Sequence, residues 1–587
     1  MKLISKSLFV LAGLLTTIDA FASGAHVLNI KNQADFDLLP QTINTVIGKE
    51  SEVKVVLAPG TYYFKEKHLV IENVDNRQVT LEFEGNGAKI VSAGRNFWNG
   101  SEYKLNFNCR NGMIADGEDV HFWSDVRTAE EPIEIVDEAS KLCCFRTENV
   151  RDMSEEECSK AYVLLPIWYY SMTYRIKKIE DNCVYFIAND LMFNEGRKQY
   201  NVNYDTWYDG SNPRIKMCNT YNNENFAIIN GKVRTSLKQV HECENNTFLS
   251  IVGCKMKSVS ITGIEFCGNS DHYRGLIEVK NSKFDAMTVS GCKFNALQST
   301  VMAIESTDNV TFENNDVRNT YASGVKADVR SANVRVTDNY FEENGLRMSN
   351  FNCVYCQGQD YYIARNTFRN FGYNAIASGV VWNEEKAGIS RGVIELNEMS
   401  YDEKYMSNLP NYTLKDAGAI YTFTQHDDVT IRYNYVHSYA GTQHYRGIFL
   451  DDGTSNAHVY GNVVVDVPVY YNIDLRRDDS WETLANSKTR QFSENDVIEQ
   501  NFVDGVCLFQ GKAGNYTNIK GQNFLLTKSG EDQPQFLVKN ITERNGKDTG
   551  LDYLGLRDGK VWLSRQSYAR IARLPWFAKV EKWFVRN

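Results

Sequence analysis

From residue 310 onward one short pattern keeps returning: an apolar residue, two of any kind, an Asn, one of any kind, and a second apolar residue. It reads Phe312…Asn315…Val317, then Val336…Asn339…Phe341, Ile363…Asn366…Phe368, Ile394…Asn397…Met399, Ile431…Asn434…Val436, Val459…Asn462…Val464 and Ile498…Asn501…Val503. Upstream, Ile261…Ile264…Phe266 and Val289…Cys292…Phe294 keep the frame with an apolar residue in the Asn place. The interval varies from 23 to 39 residues, yet the chain always comes back to the same short motif. A unit this short cannot bury an apolar face alone; neighbours must stack. Its content is β-branched and aromatic residues between Gly, Asn and Asp, which is strand and turn chemistry. The pattern therefore predicts an all-β, right-handed parallel β-helix. Equivalent residues then lie about 4.8 Å apart from coil to coil, apolar positions line the inside, and the Asn side chains form an internal ladder. Length variation falls in the corners. A propeller needs more uniform blades with their own signatures, and none is present.

The rest of the chain is read around that stack. Residues 1–22 have a positive start (Lys2, Lys6), an apolar run from Leu8 to Leu15 and small residues at Ala20 and Ala22, the pattern of a signal peptide. No Cys stands at the cleavage point, so periplasmic or extracellular residence is expected, with no membrane insertion after cleavage. Residues 23–96 are read as an N-terminal cap, with a helix from Asp35 to Ile47, followed by the first coils. Residues 97–250 break the pattern, are rich in Trp, Tyr and Cys, and are read as an inserted β-rich subdomain; 251–505 form the main β-helix with the active site, and 506–587 the last coils and a helical cap.

A formal charge of −10 gives no basic surface for nucleic acid, and 42% hydrophobic with 24% charged residues is ordinary for a globular protein. The 13 Cys are loosely spaced, and a disulfide is open for the group between Cys109 and Cys243. Cys353 and Cys356 sit three apart on what reads as a strand, so they face opposite ways and cannot share a metal ion. No zinc spacing, nucleotide loop or dinucleotide fingerprint occurs, and no metal or cofactor is expected.

The polar load is concentrated in two neighbouring repeats. One opens with Asp416-Ala417-Gly418-Ala419-Ile420-Tyr421; the other holds Arg446-Gly447-Ile448-Phe449-Leu450-Asp451-Asp452-Gly453; four of the nine His lie between His426 and His458. Carboxylates beside aromatic rings suit sugar chemistry, in which one acid protonates the leaving oxygen and another attacks or activates water. The expected catalytic residues are Asp416 and Asp451, with Asp452 as the alternative to Asp451; Tyr421, His444, Arg446, Asp474 and Arg476 are the expected sugar-binding side chains. Matching Gly418 with Gly447 turns Tyr421 and Leu450 inward and Thr422 and Asp451 outward. Matching Ile473 with Leu450 stacks Asp474 beside Asp451. Asp416 lies six residues before Thr422, about 20 Å along a straight strand. Either the chain bends near Gly418, or the working pair is Asp451 with Asp474.

With these two segments the chain resembles the right-handed parallel β-helix glycoside hydrolases, closest to glycoside hydrolase family 141, which includes an α-L-fucosidase and a xylanase, and more distantly the β-xylosidase family 120. The resemblance implies a glycosidase acting on a polysaccharide or oligosaccharide, with its Asp pair on Asp416 and on Asp451 or Asp452. Two other functions fit the same fold. A polysaccharide lyase would use Arg446, Arg476 or Arg477 against a uronate, with Ca²⁺ held by Asp451, Asp452 and Asp474. A non-catalytic carbohydrate-binding solenoid would use the groove without turnover.

Overall fold

The computed structural model describes residues 24–64, 67–92, 95–96, 113–115, 126–129, 134–137, 139–146, 161–167, 170–187, 226–230, 240–242, 247–267, 275–295, 297, 299–320, 322–345, 351–379, 390–402, 417–423, 426–438, 446–451, 454–464 and 469–475. Nearer the C-terminus it describes 496–499, 501–503, 506–511, 524–525, 553–557, 560–563, 565, 568–569, 572–573 and 577–586. No helix among these is long and apolar enough to cross a membrane.

Three long parallel sheets wind about one core, which makes the chain a right-handed parallel β-helix. Among the described residues, sheet 1 has 11 strands, from Lys67–Glu72 and Thr247–Val252 down to Val506–Gly511; sheet 2 has 12, from His26–Ile30 to Val497–Glu499; sheet 3 has 12, from Gly60–Phe64 to Phe524–Leu525. A typical coil runs through Thr300–Glu305 in sheet 1, Asp308–Glu313 in sheet 2 and Asp316–Thr320 in sheet 3, then climbs to the next. In the strands whose side chains are described, alternate residues point inward. Val289, Phe312, Val336, Ile363, Ile394, Ile431, Val459 and Ile498 make one continuous buried column.

The N-terminal end is closed by helix Gln33–Val46. Asn32 caps it by accepting from the Asp35 amide at 3.0 Å, and Phe36, Leu39 and Ile43, spaced along one face, press into the core. His26–Ile30, which the sequence reading passed over, pairs with Glu52–Leu57 and starts sheet 2 ahead of the expected first strand.

Between Ala88–Ser92 of sheet 3 and Thr247–Val252 of sheet 1 the chain leaves the stack. Described strands there build a seven-stranded antiparallel sheet, from Glu134–Asp137 at one edge to Val126–Ala129 at the other, and a three-stranded sheet of 95–96, 113–115 and 240–242. The coils resume at Thr247. Beyond the last coil, Tyr553–Arg557 pairs with Lys560–Leu563, and a short helix covers Phe577–Val580.

All seven ladder Asn residues line one corner, between sheets 2 and 3. Each Asn Oδ1 accepts the backbone N–H of the Asn or Cys one coil back: Asn315 from Cys292, Asn339 from Asn315, Asn366 from Asn339, Asn397 from Asn366, Asn434 from Asn397, Asn462 from Asn434 and Asn501 from Asn462, at 2.9–3.1 Å. Each Nδ2 donates to a sheet 2 carbonyl of the preceding coil, as Asn397 does to Ile363 at 3.0 Å. The amide is needed because it accepts and donates at once. A second, smaller ladder runs along the corner between sheets 1 and 2: Cys254 N–H donates to Ser282 Oγ at 3.1 Å, Ser282 N–H to Thr307 Oγ1 at 3.2 Å and Thr307 N–H to Ser331 Oγ at 3.2 Å.

Candidate active site

The site is built on the outer face of sheet 1. Strand Gly418–Phe423 pairs with Arg446–Leu450, and this with Val469–Leu475. The register corrects the glycine-to-glycine match. Gly418 stands opposite Arg446, Ile420 opposite Ile448, and Thr422 opposite Leu450. Ile420, Ile448 and Leu450 are therefore the inward residues and join the core. Thr422, expected outside, is 0% exposed, with its hydroxyl 3.2 Å from that of Thr454. Tyr421, expected inside, faces out. The physical reason is alternation: apolar residues seek the interior, and they set the register, whereas a glycine has no side chain to place.

An aromatic stripe follows. Across successive coils the outward row is Lys326, Tyr355, Ala377, Tyr421 and Phe449, and Asn472 follows Phe449 in register. Tyr421 packs edge-on to Phe449 at 5.2 Å and lies 5.6 Å from Phe423. The Arg446 guanidinium roofs Phe449 at 4.0 Å, a cation–π contact that keeps this ring 1% exposed although it points away from the core.

Asp451 stands where the strand ends. Its N–H donates to the Thr422 carbonyl at 2.8 Å, and its own carbonyl accepts from the Thr454 amide at 2.9 Å. The half-buried side chain takes a hydrogen bond from the Tyr421 hydroxyl, O···O 2.5 Å. A charge-assisted bond of this kind fixes the carboxylate at the end of the stripe. Because Leu450 pairs with Ile473, as expected, Asp474 follows on the next coil in the position beside Asp451, and it pairs onward with Gln510.

Of the residues singled out in the sequence, Asp451 and Tyr421 touch, Arg446 lies on the same strand, and Asp474 occupies the neighbouring register. Asp416, Asp452, His444 and Arg476 lie outside the described residues. Gly418, two residues after Asp416, begins a strand, and Phe423, at the level of Asp451, ends it; the span is about 17 Å at about 3.3 Å per residue. Sequence reasoning missed Phe423 and Phe449. Their signal was the same alternation, Ile420/Thr422 against Tyr421/Phe423 and Ile448/Leu450 against Phe449.

Elsewhere, Cys353 and Cys356 are both buried on strand Asn352–Cys356, and burial pushes the Cys356 thiol up to about 12, so this pair has no thiolate character. No cluster of three or more metal-ligating side chains occurs among the described residues. Glu395, 7% exposed on sheet 2, takes bonds from Tyr362 at 2.5 Å and Arg432 at 2.5 Å on opposite oxygens, a clasp between coils.

No family profile matches this sequence, and no curated protein matches it. Among solved structures, the chain is similar to one titled glycoside hydrolase, at 12% identity and TM-score 0.48, covering 88% of this chain and 99% of that one. It is also similar to the A-module of a mannuronan C-5 epimerase from Azotobacter vinelandii, at 9% identity and TM-score 0.40, covering 90% and 95%. A third is a surface adhesin of Streptococcus pneumoniae, at 11% identity and TM-score 0.35, covering 86% and 89%. Likeness at this level carries no argument about chemistry.

Proposed function

We propose that this chain is a glycoside hydrolase acting on a polysaccharide or oligosaccharide laid along sheet 1, with Asp451 and Asp474 as its paired carboxylates. The observation that carries the reading is the Tyr421–Asp451 contact at the end of an outward aromatic stripe. Tyr421 presents a ring for a sugar face and a hydroxyl that holds the acid in place. The Ile473–Leu450 register sets a second Asp one coil away, about 4.8 Å between backbones. With two carboxylates on adjacent coils, one would protonate the glycosidic oxygen while the other attacks the anomeric carbon or activates water. Arg446, whose guanidinium lies over Phe449, would bind sugar hydroxyls. Asp416 remains a candidate partner only if the chain before Gly418 folds back over the strand.

The test is turnover of aryl glycosides and plant or host glycans by the purified full chain and three variants. Asp451→Asn lowers kcat by about 10²–10⁴-fold, the usual worth of general acid–base catalysis, with the fold retained because the residue is half-buried at the strand end. Asp474→Asn does the same. A comparable loss in Asp416→Asn with full activity in Asp474→Asn rejects the pairing. Full activity in Asp451→Asn, or products bearing the ultraviolet absorbance of an unsaturated uronate, rejects the hydrolase reading.

A further inference from the structure

Glu398, His437 and Ser438 form a connected row on the outer face of sheet 3, one corner away from the aromatic stripe. Strand Glu398–Ser400 pairs with Tyr435–His437, so Glu398 stands opposite Tyr435 and reaches His437 diagonally. Glu398 Oε1 lies 3.0 Å from His437 Nε2, and His437 Nδ1 lies 2.8 Å from Ser438 Oγ. The His437 ring is stacked on Tyr435 at 4.1 Å and 17°, which locks its orientation. Glu398 and His437 expose only 13% and 14% of their side chains. Ser438 is the first residue past the strand, with φ +60°, the left-handed turn position that Asn370 and Glu343 take on earlier coils.

For the neutral imidazole the contacts select one tautomer. A carboxylate can only accept, so Nε2 carries the hydrogen and donates to Glu398. Nδ1 is then the basic nitrogen, and the Ser438 hydroxyl donates to it. This is a nucleophile, a base and an orienting acid in hydrogen-bond sequence, the arrangement that activates a serine. The fold does not need a His here: Ser400 and Arg369 fill the same register on the coils before.

We propose that Ser438 is the nucleophile of a second site, which hydrolyses a carboxylic ester. Ser438 Oγ attacks the ester carbonyl carbon, and its proton passes to His437 Nδ1. The carbon–oxygen bond to the alcohol then breaks, and the alcohol leaves with that proton. Water adds to the acyl-serine, giving its proton to Nδ1; the carboxylic acid departs and Oγ regains the proton. Glu398 acts through His437 and is a positioning residue.

The experiment exposes the full chain to a fluorophosphonate, maps the labelled peptide by mass spectrometry, and follows p-nitrophenyl acetate hydrolysis. The expected label is on Ser438. Ser438→Gly, chosen because glycine accepts the positive φ, abolishes it, and His437→Gln slows it by about 100-fold or more. Glu398→Gln lowers kcat for the ester by about tenfold with KM unchanged. Asp451→Asn labels like the unaltered protein, which separates this site from the glycosidase. An unlabelled Ser438 in the unaltered, folded chain overturns the proposal, as does undiminished ester hydrolysis in Ser438→Gly.

Discussion

The corner between sheets 2 and 3 and the exits of sheet 1 are made from the same coils and follow opposite rules. At the first corner seven successive coils use two residues, one with positive φ and one ladder residue: Gly291 and Cys292, Asn314 and Asn315, Asp338 and Asn339, Arg365 and Asn366, Leu396 and Asn397, Tyr433 and Asn434, Gly461 and Asn462. Along these coils the corner keeps one length because each Asn must meet the next about 4.8 Å away. Around sheet 1 the connections run from residues 424–425 to residues 476–496 on one side, and reach residues 401–417 on the other. The buried amides fix the register there, which leaves the loops at the other corners free to differ and to carry chemistry.

Breaking the constant corner gives the largest expected effect. Asn397 is 0% exposed and makes four bonds: it accepts from the Asn366 backbone and side-chain amides, each at 3.0 Å, and donates to Ile363 O and Asn434 Oδ1, each at 3.0 Å. Asn397→Ala strands a buried N–H and a buried carbonyl in the middle of the stack. The expected loss is about 3–5 kcal/mol, since each orphaned group costs about 1–3 kcal/mol. Chemical denaturation of the purified chain measures it. A loss below about 1 kcal/mol shows that neighbouring coils shift to repair the gap, and that the corner is less rigid than its bonds imply.

The capped end offers a second contrast, burial with no partner. His68 lies on the first strand of sheet 1, stacked on Phe36 at 4.1 Å, and its Nε2 is buried without a hydrogen bond. Burial lowers its pKa from 6.5 to about 4, with Asp37 opposing weakly. Above pH about 6.5 the ring is neutral in both folded and unfolded chains and has no effect. As pH falls from there to about 4, the unfolded chain takes up a proton that the folded chain refuses, so stability drops; below about 4 the loss levels off. The full swing is about 3 kcal/mol. His68→Phe flattens the pH dependence of the unfolding free energy in that window. An unchanged slope assigns the acid sensitivity to other groups.

The variable side is sharpened by Tyr421→Phe. It removes one hydroxyl, the donor to Asp451 Oδ2, and leaves the ring against Phe449. Stability changes by less than about 1 kcal/mol at a half-buried site, while kcat falls about tenfold as the carboxylate loses its fixed rotamer. Equal kcat in the two proteins shows that Asp451 is held by other groups.

These two regions also differ in how far they could be read beforehand. The ladder was legible because its Asn must recur at a fixed offset from its apolar neighbours, and all seven positions line one corner. The sheet 1 strands carry no such marker. Gly418 and Gly447 looked equivalent, but the pairing obeys Ile420 with Ile448, and one residue of slip exchanged the faces of Tyr421 and Thr422. Asp451 was reachable because it ends a recognisable apolar run. The Tyr421 hydroxyl on it was not, since that contact depends on the register. Glu398 and His437 were invisible for the same reason: they are 39 residues apart in sequence and meet only because two coils stack.

The second ladder is the smallest test and separates the two kinds of corner most cleanly. Ser282, Thr307 and Ser331 look like ordinary turn residues in the sequence, so nothing marked them as a column. Thr307 Oγ1 donates to Glu305 O at 2.9 Å and accepts from the Ser282 N–H at 3.2 Å, both within a 0% exposed side chain. A hydroxyl has one proton to give, so each rung makes two bonds where an Asn makes four, and its reach is shorter. Thr307→Val keeps the shape and removes both. The Ser282 amide is then unpaired, at a cost of about 1–2 kcal/mol, partly returned by the added methyl packing against the core. Hydrogen exchange at the Ser282 amide should quicken while the Asn366 and Asn397 amides keep their protection. Exchange that quickens along the Asn corner as well means that the two ladders open together, and that sheet 1 has less freedom than its variable loops suggest.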